Sequence, residues 1–282
     1  MAAAPPVVLT IAGFDPSSGA GVTADIKTIA AHGCYGVAGI TALTVQSTAG
    51  VRRVEPVSAE VLTQTLDELI SDVDASAVRV GMLGSGRVVK AVADFLAKNK
   101  LPNVVLDPIL KSSSGANLLD SAGAKLLKEK LLPLASVVTP NVDEASALTG
   151  LAVTNLDQMR AAAHKLHDLG SAAVVITGGH LEKAIDLLSF TSKAGIQQEV
   201  FKSARLRSNS THGTGCAFAT SIACHLGLGR GLPEAVLLAK AYVAATISNA
   251  HPLGHGTGPV HHLYRMHQQR RNPPSQDPEP IN

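Results

Sequence analysis

Residues 7–32 read VVLTIAGFDPSSGAGVTADIKTIAAH, and this stretch carries the pattern that decides the fold. It starts with a short apolar run, Val7 to Ala12, and passes through a turn rich in Gly, Ser and Pro. From Ala20 to His32, apolar residues recur three and four positions apart. A continuous apolar run is typical of a strand buried on both faces, and the later spacing is typical of an amphipathic helix. The stretch therefore predicts one strand followed by one helix.

The same alternation of strand and helix continues along the chain. Further strands are predicted at Gly36 to Val45, Val78 to Val80, Val104 to Leu106, Val137 to Val138 and Ala173 to Thr177, and further helices at Ser58 to Ser71, at Val88 to Lys98, from about Gly213, and from about Pro233 to Asn249. Such an order builds a mainly parallel sheet with helices on both faces. Beyond it, Ala184 to Phe190 and Gln197 to Lys202 flank a turn-rich segment as the strands of a hairpin do. We therefore expect a three-layer α/β/α sandwich with one antiparallel edge hairpin.

The domain organisation is expected to be simple. Residues 1–267 are predicted to form one domain, and residues 268–282, rich in Pro, Gln and Arg, a disordered tail. The chain has a net charge of +2, no Trp and no basic run, which argues against a nucleic-acid partner. No apolar stretch is long enough to span a membrane, and the start MAAAPPVV has no signal-peptide pattern, so we expect a soluble, cytoplasmic protein. The cysteines are too few for a disulfide framework, and Cys34 and Cys224 are interpreted as small buried side chains.

The strongest local signal is the segment Thr211 to Cys216, THGTGC, which leads directly into an apolar helix. Free N–H groups at a helix start form an anion site, and glycines let phosphate oxygens approach closely. Cys216 stands in the first turn, where the helix dipole is expected to lower a thiol pKa. It could serve as a base, a hydrogen-bond partner or a nucleophile, and its position alone does not choose among these.

Polar or distinctive residues follow the predicted strands and should converge at one edge of the sheet. They are Asp15, Gln46, Met82, Asp107, Asn141, Glu144 and the run Gly178-Gly179-His180. Any single one is more simply explained as a helix cap or a turn former, but together they indicate a ligand site. The sequence contains neither a GxxxxGK[ST] phosphate loop nor a GxGxxG after the first strand. Lys240 could reach a phosphate or be an ordinary solvated lysine, and the pair His261-His262 is expected to have a surface or capping role.

Taken together, the motifs resemble one family. They are residues 12–21 (AGFDPSSGAG), 41–46 (TALTVQ), 81–83 (GML), 107–108 (DP), 139–141 (TPN), 178–181 (GGHL), 211–216 (THGTGC) and 256–262 (GTGPVHH). In this order, from about Val7 to His262, they resemble the hydroxymethylpyrimidine and hydroxymethylpyrimidine phosphate kinases of the ribokinase-like superfamily. The resemblance implies the ribokinase-like form of the α/β/α sandwich and a homodimer.

The resemblance also implies an activity and a set of site residues. The activity is ATP-dependent, magnesium-assisted phosphorylation of 4-amino-5-hydroxymethyl-2-methylpyrimidine, and then of its monophosphate, at one site in thiamine biosynthesis. By analogy, the substrate-binding residues are Gln46, Gly13, Asp15, Ala20 and Met82, the nucleotide-binding residues are Asn141, Thr177, His212 and Lys240, the metal ligands are Asp107 and Glu144, and the catalytic group is Gly213, Thr214, Gly215 and Cys216. Carboxylate oxygens are the ligands that Mg²⁺ prefers.

Three departures from the family pattern affect substrate choice. Ser18 stands where relatives often have Gly, Ser47 where Asn is common, and Ser113 at the position of a frequent Lys. One alternative is a pyridoxal kinase, because pyridoxal is also a flat nitrogen heterocycle with a hydroxymethyl arm. A more distant alternative is a binding protein without catalysis that senses a vitamin precursor.

Overall fold

The computed structural model describes residues 4–112, 114–179, 184–203, 206 and 208–266. The strands are β1 Val7–Phe14, β2 Tyr35–Ser47, β3 Gly50–Pro56, β4 Ala75–Val80, β5 Val104–Leu106, β6 Val137–Val138, β7 Ala173–Gly178, β8 Ala184–Ser192 and β9 Gly195–Ser203. The helices are α1 Gly21–Ala31, α2 Ala59–Asp72, α3 Gly86–Asn99, α4 Ser121–Leu126, α5 Val142–Thr149, α6 Leu156–Asp168, α7 Thr214–Gly227 and α8 Leu232–Ser248. After α4 the chain continues through a π-helical turn, Leu127–Leu131, and a 3-10 turn, Leu132–Leu134.

The described strands form one sheet in the order β3-β2-β1-β4-β5-β6-β7-β8-β9. From β2 to β7 in this order, neighbouring strands are parallel. At one edge β3 pairs antiparallel with β2, and at the other β8 and β9 form an antiparallel hairpin beside β7. The carboxyl ends of the parallel strands therefore lie along one edge of the sheet.

Helices cover both faces of the sheet because successive side chains of a strand point to opposite sides. Leu9 of β1 packs into a core with residues of α2, α3, α5 and α6. Its neighbour Val8 packs into a second core with residues of α1, α7 and α8. The predicted three-layer sandwich is confirmed.

The predicted strands and helices are all present, with ends within a few residues of the expected ones. The predicted edge hairpin is β8–β9. The antiparallel strand β3 was not predicted, because its residues GVRRVEP are mostly polar or half-exposed and lack a long apolar run. Residues 268–282 lie outside the described residues, so the domain boundary at 267 stays a prediction.

Two expectations from composition can be compared with the structure. Cys34, Cys216 and Cys224 are free and buried, which confirms the interpretation of Cys34 and Cys224 as small buried side chains. Within the described residues, no helix combines the length and the apolar character that crossing a bilayer requires.

Candidate active site

Residues that follow the parallel strands gather at the carboxyl edge of the sheet, as expected. Asp15 follows β1, Gln46 lies near the end of β2, and Asp107 follows β5. The backbone continues the strand pairing here, since the Asp107 amide donates to the Val80 carbonyl at 2.8 Å. The edge is therefore an ordered extension of the sheet.

Asp15 organises the turn between β1 and α1. Its Oδ1 accepts hydrogen bonds from the amide of Ser17 at 2.8 Å and from the Ser17 hydroxyl at 2.7 Å. Its Oδ2 accepts from the amide of Ala20 at 2.9 Å and lies 2.8 Å from Nε2 of His212. Burial by itself would raise the pKa of Asp15, but the hydrogen bonds from His212 and Ser17 outweigh it and lower the pKa below its ordinary value. Asp15 is a carboxylate at neutral pH.

Gly13 and Met82 lie beside this turn. A Cβ on Gly13 would come within 3.0 Å of the Met82 sulfur, so this glycine lets β1 approach the Met82 side chain. Met82 itself is buried with Ala42 and half-buried Val51 and Val54. Gly13 and Met82, two of the predicted substrate-binding residues, therefore lie against each other.

His212 contacts two of the predicted substrate-binding residues. Its Nε2 is 3.3 Å from Nε2 of Gln46, as well as 2.8 Å from Asp15. The resemblance predicts that His212 is a nucleotide-binding residue, and in the structure its side chain contacts Asp15 and Gln46.

Helix α7 begins with accessible backbone. Its N-cap, Gly213, has φ +84°, and a Cβ there would lie 1.8 Å from the carbonyl oxygen of Gly19, so only glycine fits. A Cβ on Gly215 would meet nothing within 4 Å, and Gly215 is exposed. The first turn of α7 thus opens onto free space, as the predicted anion site requires, and His212 links it to Gln46.

Cys216 lies behind this open turn and is only 7 % exposed. Burial raises the pKa of its thiol to about 12, although the charge of Arg79 acts in the opposite direction. The lowered thiol pKa expected from the helix dipole is therefore wrong. Desolvation dominates, and the thiol is protonated at neutral pH.

Beneath the site lies a buried cation that sequence reasoning missed. The guanidinium of Arg79, on β4, is 0 % exposed. Its Nη2 donates a hydrogen bond to Oδ2 of Asp107 at 2.8 Å. Its Nη1 lies 3.1 Å from Oδ2 of Asp25. Asp25 also accepts from the hydroxyls of Thr10 at 2.6 Å and Thr220 at 2.7 Å. This network ties β1, β4, α1 and α7 together under the Cys216 thiol.

The sequence did contain a signal for this network. Arg79 interrupts the apolar run Val78 to Val80, and a charge within a buried strand needs a buried partner. The next inward position is Gly81, where a Cβ would lie 1.7 Å from Nη1 of Arg79. Glycine at this position makes room for the guanidinium.

The predicted metal ligands are both buried carboxyls. Burial raises the pKa of Asp107 to about 6, against the opposing charge of Arg79, and burial together with the Asp107 charge raises the pKa of Glu144 to about 8. Asn141 and Glu144 form a capping box at the start of α5, with the Asn141 amide donating to Glu144 Oε2 at 2.9 Å. These two residues therefore do serve as helix caps.

The remaining predicted nucleotide residues lie at the ends of β6 and β7. Asn141 and Thr177 form a backbone bridge. Lys240 of α8 is an ion-pair partner of Asp186, whose other oxygen accepts from the Gly178 amide at 3.0 Å. Lys240 is thus not a solvated lysine, and Asp186 holds it beside this strand end. His180 and Ser113 lie outside the described residues.

His262 was expected to have a surface or capping role, and the surface role is wrong. Its side chain is 2 % exposed, and its Nδ1 lies 3.0 Å from the Thr28 hydroxyl of α1. The Tyr242 hydroxyl donates to the His262 carbonyl at 2.9 Å. His262 therefore packs between α1 and α8.

The chain is similar in sequence to known kinases. The family model described as phosphomethylpyrimidine kinase matches residues 15–261. The chain is 43% identical over 258 residues to the thiamine biosynthesis bifunctional protein ThiED of Geobacter sulfurreducens, covering 91% of this chain but only 52% of that longer protein. It is 40% identical to the hydroxymethylpyrimidine/phosphomethylpyrimidine kinase of Streptomyces coelicolor, covering 93% of this chain and 96% of the relative.

The fold is shared with solved structures. The Bacillus subtilis pyridoxal kinase, solved as an ADP complex, superposes with a TM-score of 0.84 at 32% identity, over 93% of this chain and 99% of that one. The ribokinase-like form of the sandwich is thereby confirmed.

Proposed function

The chain belongs to the phosphomethylpyrimidine kinase family, and from this membership we propose that it phosphorylates 4-amino-5-hydroxymethyl-2-methylpyrimidine and then the monophosphate of that compound. ATP is the proposed donor, and the products would feed thiamine biosynthesis. The protein is a phosphotransferase by family, and the ADP complex of the related pyridoxal kinase supports the use of an adenine nucleotide.

One observation carries the proposal. The open first turn of α7, at Gly215, follows His212, whose side chain contacts Asp15 and Gln46. Bare amides at a helix start stabilise the charge of a transferring phosphoryl group, and this group of polar side chains would hold the acceptor beside it. Alignment of this kind supplies most of the catalysis in phosphoryl transfer, because its transition state is loose.

Cys216 would then position the acceptor alcohol. A thiol whose pKa is raised to about 12 is a poor base at neutral pH, but it can still hydrogen-bond a hydroxyl group. A loose transition state delays proton loss from the alcohol, so a strong base is not required.

Asp107 and Glu144 fit a hydrated Mg²⁺. They are two buried carboxyls whose mutual repulsion helps to raise the pKa of Glu144, and a cation between them would relieve that repulsion. The described residues contain no cluster of three or more His, Cys, Asp or Glu side chains that could hold a metal alone. Mg²⁺ needs only one or two carboxylates when substrate phosphates complete its shell. The ion would supply charge neutralisation at the phosphates.

The test is product analysis. The pure protein is incubated with ATP, Mg²⁺ and the pyrimidine alcohol, and mass spectrometry counts the phosphoryl groups added. Two added groups support the full proposal, and one group limits it to the first step. No addition contradicts it.

Pyridoxal is the control substrate, because the structural similarity to the Bacillus subtilis pyridoxal kinase is high. A kcat/KM higher for pyridoxal than for the pyrimidine would show that pyridoxal, and not the pyrimidine, is the preferred substrate. Failure to consume ATP with either compound would favour the binding protein without catalysis.

We further propose that the protein is a homodimer and acts in the cytoplasm on small molecules, with no nucleic-acid or membrane partner. Sedimentation equilibrium gives the mass directly: a value equal to that of one 282-residue chain would contradict the dimer.

A further inference from the structure

A chain of polar contacts runs from Asp15 through His212 to Gln46. Nε2 of His212 lies 2.8 Å from Oδ2 of Asp15 and 3.3 Å from Nε2 of Gln46. One ring nitrogen thus faces two side chains. A ring nitrogen either carries a hydrogen or accepts one, so the direction of both contacts follows from which state it is in.

Asp15 determines that state. Its carboxyl is ionised at neutral pH, because its hydrogen bonds lower the pKa despite burial. A carboxylate only accepts hydrogen bonds, so Nε2 of His212 must carry the hydrogen and donate it to Asp15. Gly19 lies close against the ring, since a Cβ on Gly19 would lie 2.3 Å from its Cδ2.

The N–H of His212 in turn determines the orientation of the Gln46 amide. A Gln46 nitrogen opposite that N–H would set donor against donor. Turning the amide by 180° places its oxygen there instead, as the second and more distant acceptor of the one hydrogen that Nε2 shares with Asp15. The amide nitrogen then occupies the position 3.1 Å from the Thr44 hydroxyl oxygen and donates to it. The Thr44 hydroxyl keeps its own hydrogen for the Phe14 carbonyl, 3.0 Å away. In this arrangement no donor of the network faces a donor and no acceptor faces an acceptor.

We propose that His212 is a positioning residue that selects the hydrogen-bonding pattern of the substrate by holding the Gln46 amide in a single orientation. The inference rests on the proposed function. With one oxygen lone pair given to His212 and one N–H given to Thr44, the amide keeps one acceptor position and one N–H for a ligand.

The remaining pair of groups fits an aminopyrimidine edge, which presents an amine donor beside a ring-nitrogen acceptor. The corresponding 4-oxo pyrimidine presents a carbonyl acceptor beside a ring N–H, so its pattern is reversed. The hydroxymethyl group must face the phosphoryl group and fixes which way the ring lies. Binding the 4-oxo compound would therefore require the Gln46 amide to turn over and lose its contact with His212.

The experiment compares kcat/KM for the 4-amino and 4-oxo pyrimidine alcohols in the intact protein. We expect the wild type to prefer the amino compound by at least about a hundredfold, as sites built from polar groups do. In His212→Phe the ring remains but the N–H is lost, and the preference should fall by about tenfold or more. His212→Gln retains an N–H group and should keep most of the preference for the amino compound. His164→Phe, on the exposed side of α6, is the matched control and should leave it unchanged.

A second variant acts from the other end of the amide. Thr44→Val removes the hydroxyl that accepts from Gln46 with little change in shape, and it should lower the preference as well. Because the preference is a ratio measured within one protein, partial loss of folded enzyme cancels.

The outcomes separate the inference from the proposed function. An unchanged preference in both His212→Phe and Thr44→Val, with equal losses on the two compounds, would overturn the positioning role and leave the kinase activity standing. Equal kcat/KM for both compounds in the wild type would also overturn the positioning role and leave the kinase activity standing. Phosphorylation of neither compound by the wild type would overturn the proposed function and the inference with it.

Discussion

Replacing Gly81 by Ala tests whether the buried guanidinium of Arg79 holds the site together. The added Cβ would lie 1.7 Å from Nη1 and 2.5 Å from Cζ of Arg79, far closer than atoms can approach, so the guanidinium must move. It cannot move without weakening its contacts to Asp25 at 3.1 Å and Asp107 at 2.8 Å. Disrupting a buried ion pair costs about 3 to 5 kcal/mol, and Ala recovers about 0.4 to 1 kcal/mol by restricting the unfolded chain.

We therefore expect Gly81→Ala to lower the free energy of unfolding by about 3 kcal/mol, equivalent to a Tm about 6 to 12 °C lower. Urea denaturation followed by circular dichroism measures this change. Gly227→Ala is the matched control, since its Cβ would meet Ala77 at an ordinary 3.5 Å, and it should be neutral or slightly stabilising. In an Arg79→Met background, Gly81→Ala should lower the free energy of unfolding by much less, because the shorter Met side chain leaves room for the added Cβ. Equal costs in both backgrounds, or a neutral Gly81→Ala, would refute the reasoning.

Three further predictions concern the Cys216 thiol, the turn between β1 and α1, and stability in acid. Cys216→Ala removes a hydrogen-bonding group beside the acceptor, so it should lower kcat about a hundredfold or more while the Kd for ADP stays within about threefold. Cys224→Ala, which alters a fully buried cysteine on the same helix, should leave kcat near normal. Wild-type turnover in Cys216→Ala would rule out a role in catalysis. Ser18 has φ +63°, a conformation that glycine adopts more easily, so Ser18→Gly should raise the free energy of unfolding by about 0.5 kcal/mol. Ser17→Gly loses the hydrogen bond from the Ser17 hydroxyl to Asp15 and should lower the free energy of unfolding. Burial and the nearby Lys27 lower the pKa of His262 to about 4, below an unfolded value of about 6.5. The contribution of neutral His262 to the free energy of unfolding is therefore fully present above about pH 6.5. It is lost as the pH falls towards 4, by up to about 3 kcal/mol. His262→Gln should flatten that fall in urea titrations, and an equally steep fall would contradict the assignment.

Much of the fold could be predicted from local patterns. The apolar run Val104 to Leu106 and the pair Val137 to Val138 were predicted with the bounds that the structure has. Helix α2 begins after Ser58, whose hydroxyl accepts from the backbone as a cap should. Strand β3, Gly50–Pro56, escaped prediction because it is an edge strand with few buried residues.

The site was only partly predictable. The residues after the strands were correctly expected to meet, since parallel strands end at one edge, and Gln46 and Asp15 do so. The contact between His212 and Gln46 could not be predicted, because the two residues are 166 positions apart in the sequence. The thiol pKa of Cys216 was predicted with the wrong sign, because the helix dipole can be read locally and burial cannot.

The sequence by itself determined the alternation of strand and helix, the turn of glycines before α7 and the order of the family motifs, because each depends on residues within about ten positions of one another. Only the tertiary structure decided which charges meet. Arg79 reaches Asp107, 28 positions later, and Cys216 is desolvated by elements from distant parts of the chain. Burial and electrostatic partners are properties of the packed whole, and they set the protonation states on which the chemistry depends.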